Sequence, residues 1–141
     1  MAIPSVGGGY QVTDGNQNER ILGVQAAPQT ATVTATLTAA QVTGGLLVAT
    51  PTAATASYTL PVAADIDAVL GNAKVNSTFM LSIINLQSSV GVITIVTNAG
   101  LTLVGTLTIG LTGAASTSPA GVAQFLFRKT DTAAYSVYRV S

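Results

Sequence analysis

Hydrophobic and polar residues alternate along most of this chain. In residues 29–38 the threonines Thr30, Thr32, Thr34, Thr36 and Thr38 fall on one face, and Ala31, Val33, Ala35 and Leu37 fall on the other. A period of two with many β-branched residues predicts one strand with a polar and a buried side. Gly44-Gly45 breaks the pattern. Leu46–Thr50 then reads as a strand stopped by Pro51, and Tyr58–Leu60 as another before Pro61. From Phe79 to Ile84 both faces are largely apolar, which predicts a strand buried on both sides. Val92–Thr97, Leu101–Val104 and Thr106–Ile109 are further short strands. Val122–Lys129 and Tyr135–Val140 predict a closing hairpin, turned by the polar stretch Lys129-Thr130-Asp131-Thr132.

Only residues 62–70 change period. Val62, Ile66, Val69 and Leu70 sit at helical spacing, with Gly71-Asn72 as a stop signal. Asp65 and Asp67 lie toward the front of this helix, where negative charge is favoured, and read as solvated. The pattern predicts this one helix and no other.

Residues 1–28 lack periodicity. Gly7-Gly8-Gly9, Asp14-Gly15-Asn16, Pro4 and Pro28 give the segment the composition of an extended arm. Residues 110–121 are a Gly/Ser/Thr/Pro loop. The expected organisation is thus an N-terminal arm over 1–28 and a β domain over 29–141. Short strands with turns every 8–12 residues favour an antiparallel sandwich, jelly roll or barrel.

Composition narrows the function. Of 141 residues only 7% are charged, five basic and five acidic, and there is no Cys or His. Without Cys there is no disulfide framework, thiol nucleophile or thiolate metal site. Without His, the commonest general base and metal ligand is missing. A net charge of zero argues against a nucleic-acid partner. No apolar run approaches the 18 or more residues of a membrane span, and MAIPSVGGGY has neither the basic start nor the apolar centre of a secretory signal. A mean hydropathy of +0.56 with so few charges suggests a surface covered by other copies or by a larger assembly.

Candidate chemistry is sparse. Asp65 and Asp67 are two residues apart and do not face each other on a helix. Asp14, Asn16 and Asn18 alternate as in a calcium loop, but Gly15 and Glu19 are at the wrong offsets. Gly7-Gly8-Gly9 lacks the Lys-Ser/Thr of a phosphate loop. Lys74 and Lys129 could each serve a Ser–Lys pair, but no spacing favours it. Arg128, Lys129, Tyr135, Tyr138 and Arg139 form a basic–aromatic cluster, read as charge protecting a sheet edge. No catalytic residue, cofactor or metal is expected.

Three stretches carry a family likeness: Leu37–Leu70 (LTAAQVTGGLLVATPTAATASYTLPVAADIDAVL), Asn76–Asn85 (NSTFMLSIIN) and Phe125–Ser141 (FLFRKTDTAAYSVYRVS). Together they resemble the small head-decoration, or cement, proteins of bacteriophages. A Tyr-Thr-Leu-Pro turn leads to an Asp-containing helix, an Asn-Ser-x-Phe strand follows, and an Arg-Lys/Tyr-rich hairpin closes the chain. Residues 1–36 lie outside the likeness. The resemblance implies a non-enzymatic virion component with a jelly-roll-like body. It would be a homotrimer seated on the outer capsid surface, with the major capsid protein as partner and no nucleic-acid or membrane partner. Ile3, Val6, Tyr10, Val12, Ile21, Leu22 and Val24 are the side chains of the arm suited to bind the capsid or an adjacent subunit. A trimeric receptor- or glycan-binding fibre or adhesin module is the alternative.

Overall fold

The computed structural model describes residues 24–112 and 121–141. Ten strands and two helices follow in the order β1 (Gln29–Ala31), β2 (Ala35–Thr36), α1 (Ala39–Thr43), β3 (Leu46–Ala49), β4 (Thr55–Thr59), α2 (Ala63–Val69), β5 (Thr78–Asn85), β6 (Val92–Val96), β7 (Leu101–Val104), β8 (Thr108–Ile109), β9 (Val122–Asp131) and β10 (Ala134–Arg139). The protein is mainly β. One sheet has six strands in the order β1-β3-β5-β9-β10-β7, the other four in the order β2-β4-β6-β8.

Successive strands from β1 to β8 alternate between the sheets, so the chain winds from one to the other and back. From β1 to β6, strands on consecutive turns of this winding run the same way. β1 pairs with β3 and β3 with β5 in parallel, as do β2 with β4 and β4 with β6. β7 and β10 are also parallel. Only β5–β9, β9–β10 and β6–β8 are antiparallel. The sheets are therefore mixed, and the expected all-antiparallel pairing is wrong. Strand spacing along a chain reports how often it turns, not whether each strand returns to its own sheet or crosses to the other.

Two further expectations fail. Residues 29–38 are two strands in different sheets, because the chain bends at Val33-Thr34. The Thr34 hydroxyl accepts a hydrogen bond from the Ser57 amide at 3.0 Å, fixing the crossing. Val33 is left 58% exposed where alternation had placed it inside. A second helix, α1, begins at Thr38 with reciprocal capping: the Thr38 hydroxyl accepts from the Gln41 amide, and the Gln41 carbonyl group accepts from the Thr38 amide.

One core gathers side chains from both sheets and both helices. Leu47, Leu81, Ile83, Phe125, Phe127 and Val137 come from the larger sheet, Tyr58, Ile93, Ile95 and Ile109 from the smaller, and Val42 and Ile66 from the helices. Asn85 is the polar exception at 0% exposure. Its Nδ2 donates to Gly91 O (2.8 Å) and Gly110 O (2.9 Å), and its Oδ1 accepts from Gln87 N (3.1 Å). All its hydrogen-bonding groups are engaged, so it sits inside without an orphan. Gly100, at φ +78°, lets the turn before β7 pass against the β9–β10 turn. A Cβ there would meet the Ala133 carbonyl oxygen and lie 2.7 Å from Ala63 Cβ.

Candidate functional site

Three elements converge where α2 meets the β9–β10 hairpin. Helix α2 presents Asp67, which the helical period had placed in solvent; its side chain is in fact only 18% exposed. Its Oδ1 accepts from Lys129 Nζ at 2.6 Å and from the Tyr135 hydroxyl at 2.5 Å, and its Oδ2 accepts from the Ala133 amide at 2.8 Å. Lys129 reaches it because alternation along β9 turns that residue inward with Phe125 and Phe127. Ala133 supplies its amide from a left-handed turn position, φ 50°.

Electrostatics follow from these contacts. The hydrogen bond from Lys129, then those from Tyr135 and Ala133, lower the Asp67 pKa from 3.8 to about 2 against the opposing effect of burial. Burial first, then the neighbouring Asp67 carboxylate, push the Tyr135 phenol well above its ordinary value. The carboxylate is saturated with donors, and the phenol holds its proton. Neither is poised as a base or nucleophile. The cluster is a lock between helix and hairpin. Asp65, by contrast, is exposed in the first turn of α2, as expected.

Beside the lock lies an open pocket of about 410 Å³, lined by Asn72, Ser77, Thr78, Phe79 and Tyr135 among others. Phe79 stacks on Phe127 with centroids 4.6 Å apart and meets Tyr135 edge-on at 6.3 Å.

The basic–aromatic cluster does not guard an edge. β9 and β10 are internal strands of the larger sheet, and their residues divide between its two faces. Lys129 and Tyr135 point into the core. Arg139 donates to the carbonyls of Thr106 and Thr108, tying the larger sheet to β8 of the smaller one. Arg128 belongs to the opposite, outer face. Its Nε is buried and has no hydrogen-bond partner among the described residues.

That outer face is organised in rows set by strand register. One row runs Met80, Leu126, Tyr138, Val104 across β5, β9, β10 and β7. A second runs Val48, Ile84, Val122 across β3, β5 and β9. Between them lie Leu46, Ser82 and Gln124, and beyond the first row lie Thr78, Arg128, Ser136 and Thr102. Met80, Val104 and Val122 are 40%, 48% and 42% exposed. The expected burial of β5 on both sides is therefore wrong: Leu81 and Ile83 bury one face, while Met80 on the other face is open. The smaller sheet turns a different exterior outward: Ser57 registers with Thr94 and Thr94 with Thr108, while Thr59 pairs with Thr36 and Val96.

Of the arm residues singled out by the sequence, Ile3, Val6, Tyr10, Val12, Ile21 and Leu22 lie outside the described residues. Val24 is fully exposed. Next to it, Gln25 is fastened by its Nε2 to Gly44 O at 2.6 Å. Among the described residues there is no cluster of three metal-ligating side chains, and no helix is long and apolar enough to cross a membrane. No family model, curated protein or solved structure matches the chain.

Proposed function

We propose that this chain is a capsid decoration protein: a structural virion component that seats on the outer surface of a phage head and bridges neighbouring major capsid subunits. It acts as a homotrimer with a sandwich or jelly-roll-like body and carries out no catalysis. One observation carries this reading. The three stretches that resemble head-decoration proteins, far apart in sequence, meet at a single point: Asp67 from the first, Phe79 from the second, Lys129 and Tyr135 from the third.

The surface chemistry supports the same reading. Few charges, apolar rows on one sheet and a Thr/Ser-rich face on the other suit a protein partly covered in its working state. Attachment at several subunits at once lets modest contacts sum to firm seating on a shell under internal pressure. Residues 1–28 are the segment suited to reach the capsid or an adjacent subunit.

The test is occupancy on undecorated capsids of the particle that encodes the chain. Decoration gives ordered density at regular surface positions, hundreds of copies per particle, and a shell that withstands more heating. An absence of binding at micromolar protein overturns the proposal. The alternative, a trimeric glycan- or receptor-binding fibre module, is favoured by the aromatic-lined pocket at Phe79 and Tyr135. It would give only a few to dozens of copies, with saccharide binding lost in Phe79→Ala.

A further inference from the structure

Along the inner face of β5, Leu81, Ile83 and Asn85 are fully buried, but Phe79 is only partly so. Its ring stacks on Phe127 and meets Tyr135 edge-on. It also lines the open pocket of about 410 Å³. An aromatic ring of the core layer is thus reachable from solvent. The other walls of the pocket are Val69 and Leu70, at the end of α2, and the chain that follows at Gly71–Ala73 and Ser77.

These walls are held in place by the fold itself. Ala73 N donates to Leu70 O and Ser77 N to Lys74 O, both at 2.8 Å. Two further backbone bonds stitch this segment to β9: Asn76 N donates to Lys129 O, and Lys129 N donates to Ser77 O, both at 2.9 Å. Beneath it, the Asp67 lock fixes Tyr135 against α2. A preformed site gives up little freedom when a ligand enters.

The lining chemistry selects the ligand. No lining residue is charged, and Asp67 and Lys129 in the adjoining lock are paired with each other. A phosphate or carboxylate therefore finds no cation on the pocket walls, and an amine finds no free carboxylate. The polar side chains are neutral. Asn72 is exposed and offers an amide donor and acceptor. The Ser77 hydroxyl accepts from Lys74 N at 3.0 Å and keeps its own proton to donate. A purely apolar ligand would cover these groups without pairing them, which weakens binding. A ring with an apolar C–H face and hydroxyls around its rim satisfies both kinds of wall. We propose that this pocket binds one neutral pyranose residue of a glycan, with the C–H face of the sugar on Phe79 and its hydroxyls on Asn72 and Ser77. The volume sits low in the range of about 300–1,000 Å³ that small-molecule sites occupy, as a single sugar residue requires. The proposal does not rest on the decoration reading: one folded chain builds the pocket, with neither a capsid nor a second copy.

The probes are the methyl pyranosides of glucose, galactose, mannose and N-acetylglucosamine. Each is added to the full-length protein while backbone amide shifts are followed by NMR. The expected result is a saturable shift at Gly71–Ala73 and Ser77–Phe79 for at least one probe, with a Kd of about 1–10 mM, the scale set by so small a ligand. Gly71→Leu fills the pocket without strain, since Gly71 has no positive φ and a Cβ there meets nothing within 4 Å. It should weaken binding at least about tenfold and leave the melting temperature unchanged. Phe79→Leu keeps an apolar side chain in the core but removes the ring, and should weaken binding to a similar degree. Thr94→Ala, on the outer face of the smaller sheet, should bind as the parent does. No saturable shift with any probe at about 50 mM, or equal binding by the parent and folded Gly71→Leu, overturns the proposal. So does a tighter response of the same amides to cyclohexanol, which would make the pocket an apolar site. Failure to bind capsids with sugar binding intact would count against decoration alone.

Discussion

Asp67 and Lys129 are 62 residues apart in sequence and 2.6 Å apart in space, and their ion pair joins helix α2 to the central part of the larger sheet. Both side chains are largely withdrawn from water, so removing one strands the other. Asp67→Asn should cost about 2–3 kcal/mol in urea denaturation at pH 7. A change below about 0.5 kcal/mol would show that the pair contributes no net stability.

The same carboxylate gives a pH dependence with a defined sign. Its pKa is depressed in the folded state, from 3.8 to about 2, so the unfolded chain binds the proton more readily. The stabilisation is complete above about pH 4 and fades as pH falls through 2. It amounts to about 1–2 kcal/mol. In Asp67→Asn the melting temperature should change less between pH 4 and pH 2 than in the parent, which differential scanning calorimetry can resolve.

Asn85 holds the 86–91 loop and the segment after β8 through Gly91 O and Gly110 O. Asn85→Ala leaves those carbonyls without their donor and opens a cavity. The expected loss is about 2–4 kcal/mol. Asn85→Asp should be worse, because a carboxylate would face two carbonyl oxygens. Equal stability of the Asp variant and the parent at pH 7 would refute this account.

Two glycines make a paired test. Gly100→Ala forces a side chain into positive φ against Ala133 and Ala63 and should cost at least about 2 kcal/mol. Gly71 has nothing within 4 Å of a built Cβ and no positive φ, so Gly71→Ala should stay within about 0.5 kcal/mol. Thermal denaturation of both variants in one buffer decides it.

Light scattering of the purified protein at micromolar concentration should give three times the chain mass if the trimer forms without a shell. A monomer mass would count heavily against self-assembly as the explanation of the low charge content.

Most strands were legible because one side of each faces the core, so alternation survives at β3, β6, β7, β9 and β10. Helix α1 does carry a local signal: Thr38 and Gln41 have the spacing of a capping box. The bend at Val33-Thr34 left none. Threonine alternation continues across it unchanged, and the donor that fixes it comes from Ser57, 23 residues on. The parallel pairings were hidden for a related reason. Gln29 registers with Leu47, but Leu46 registers with Ser82, so turns of unequal length leave no period to detect. The Asp67 lock depends on which way Lys129 and Tyr135 face across a long separation, which local spacing cannot report. The unpartnered outer face was visible as the apolar second side of β5, and it read as buried because a sequence does not say how many layers a fold has.

The winding between the sheets constrains how the chain can assemble. β1, β3 and β5 are neighbours in space, yet each is separated from the next by a strand committed to the other layer. No parallel ladder can close until a whole turn of chain has been laid down, and such non-local closure is slow. The β9–β10 hairpin is different: a two-residue turn at Thr132-Ala133 suffices for it. The topology therefore favours nucleation at the C-terminal end, with β5 docking on β9 and the earlier turns adding outward toward β1. Pulse-labelled hydrogen exchange would then show the Phe127 and Val137 amides protected before that of Val48. Until that hairpin is in place the strands before it stay open to water, with few charges to keep them from the strands of neighbouring chains.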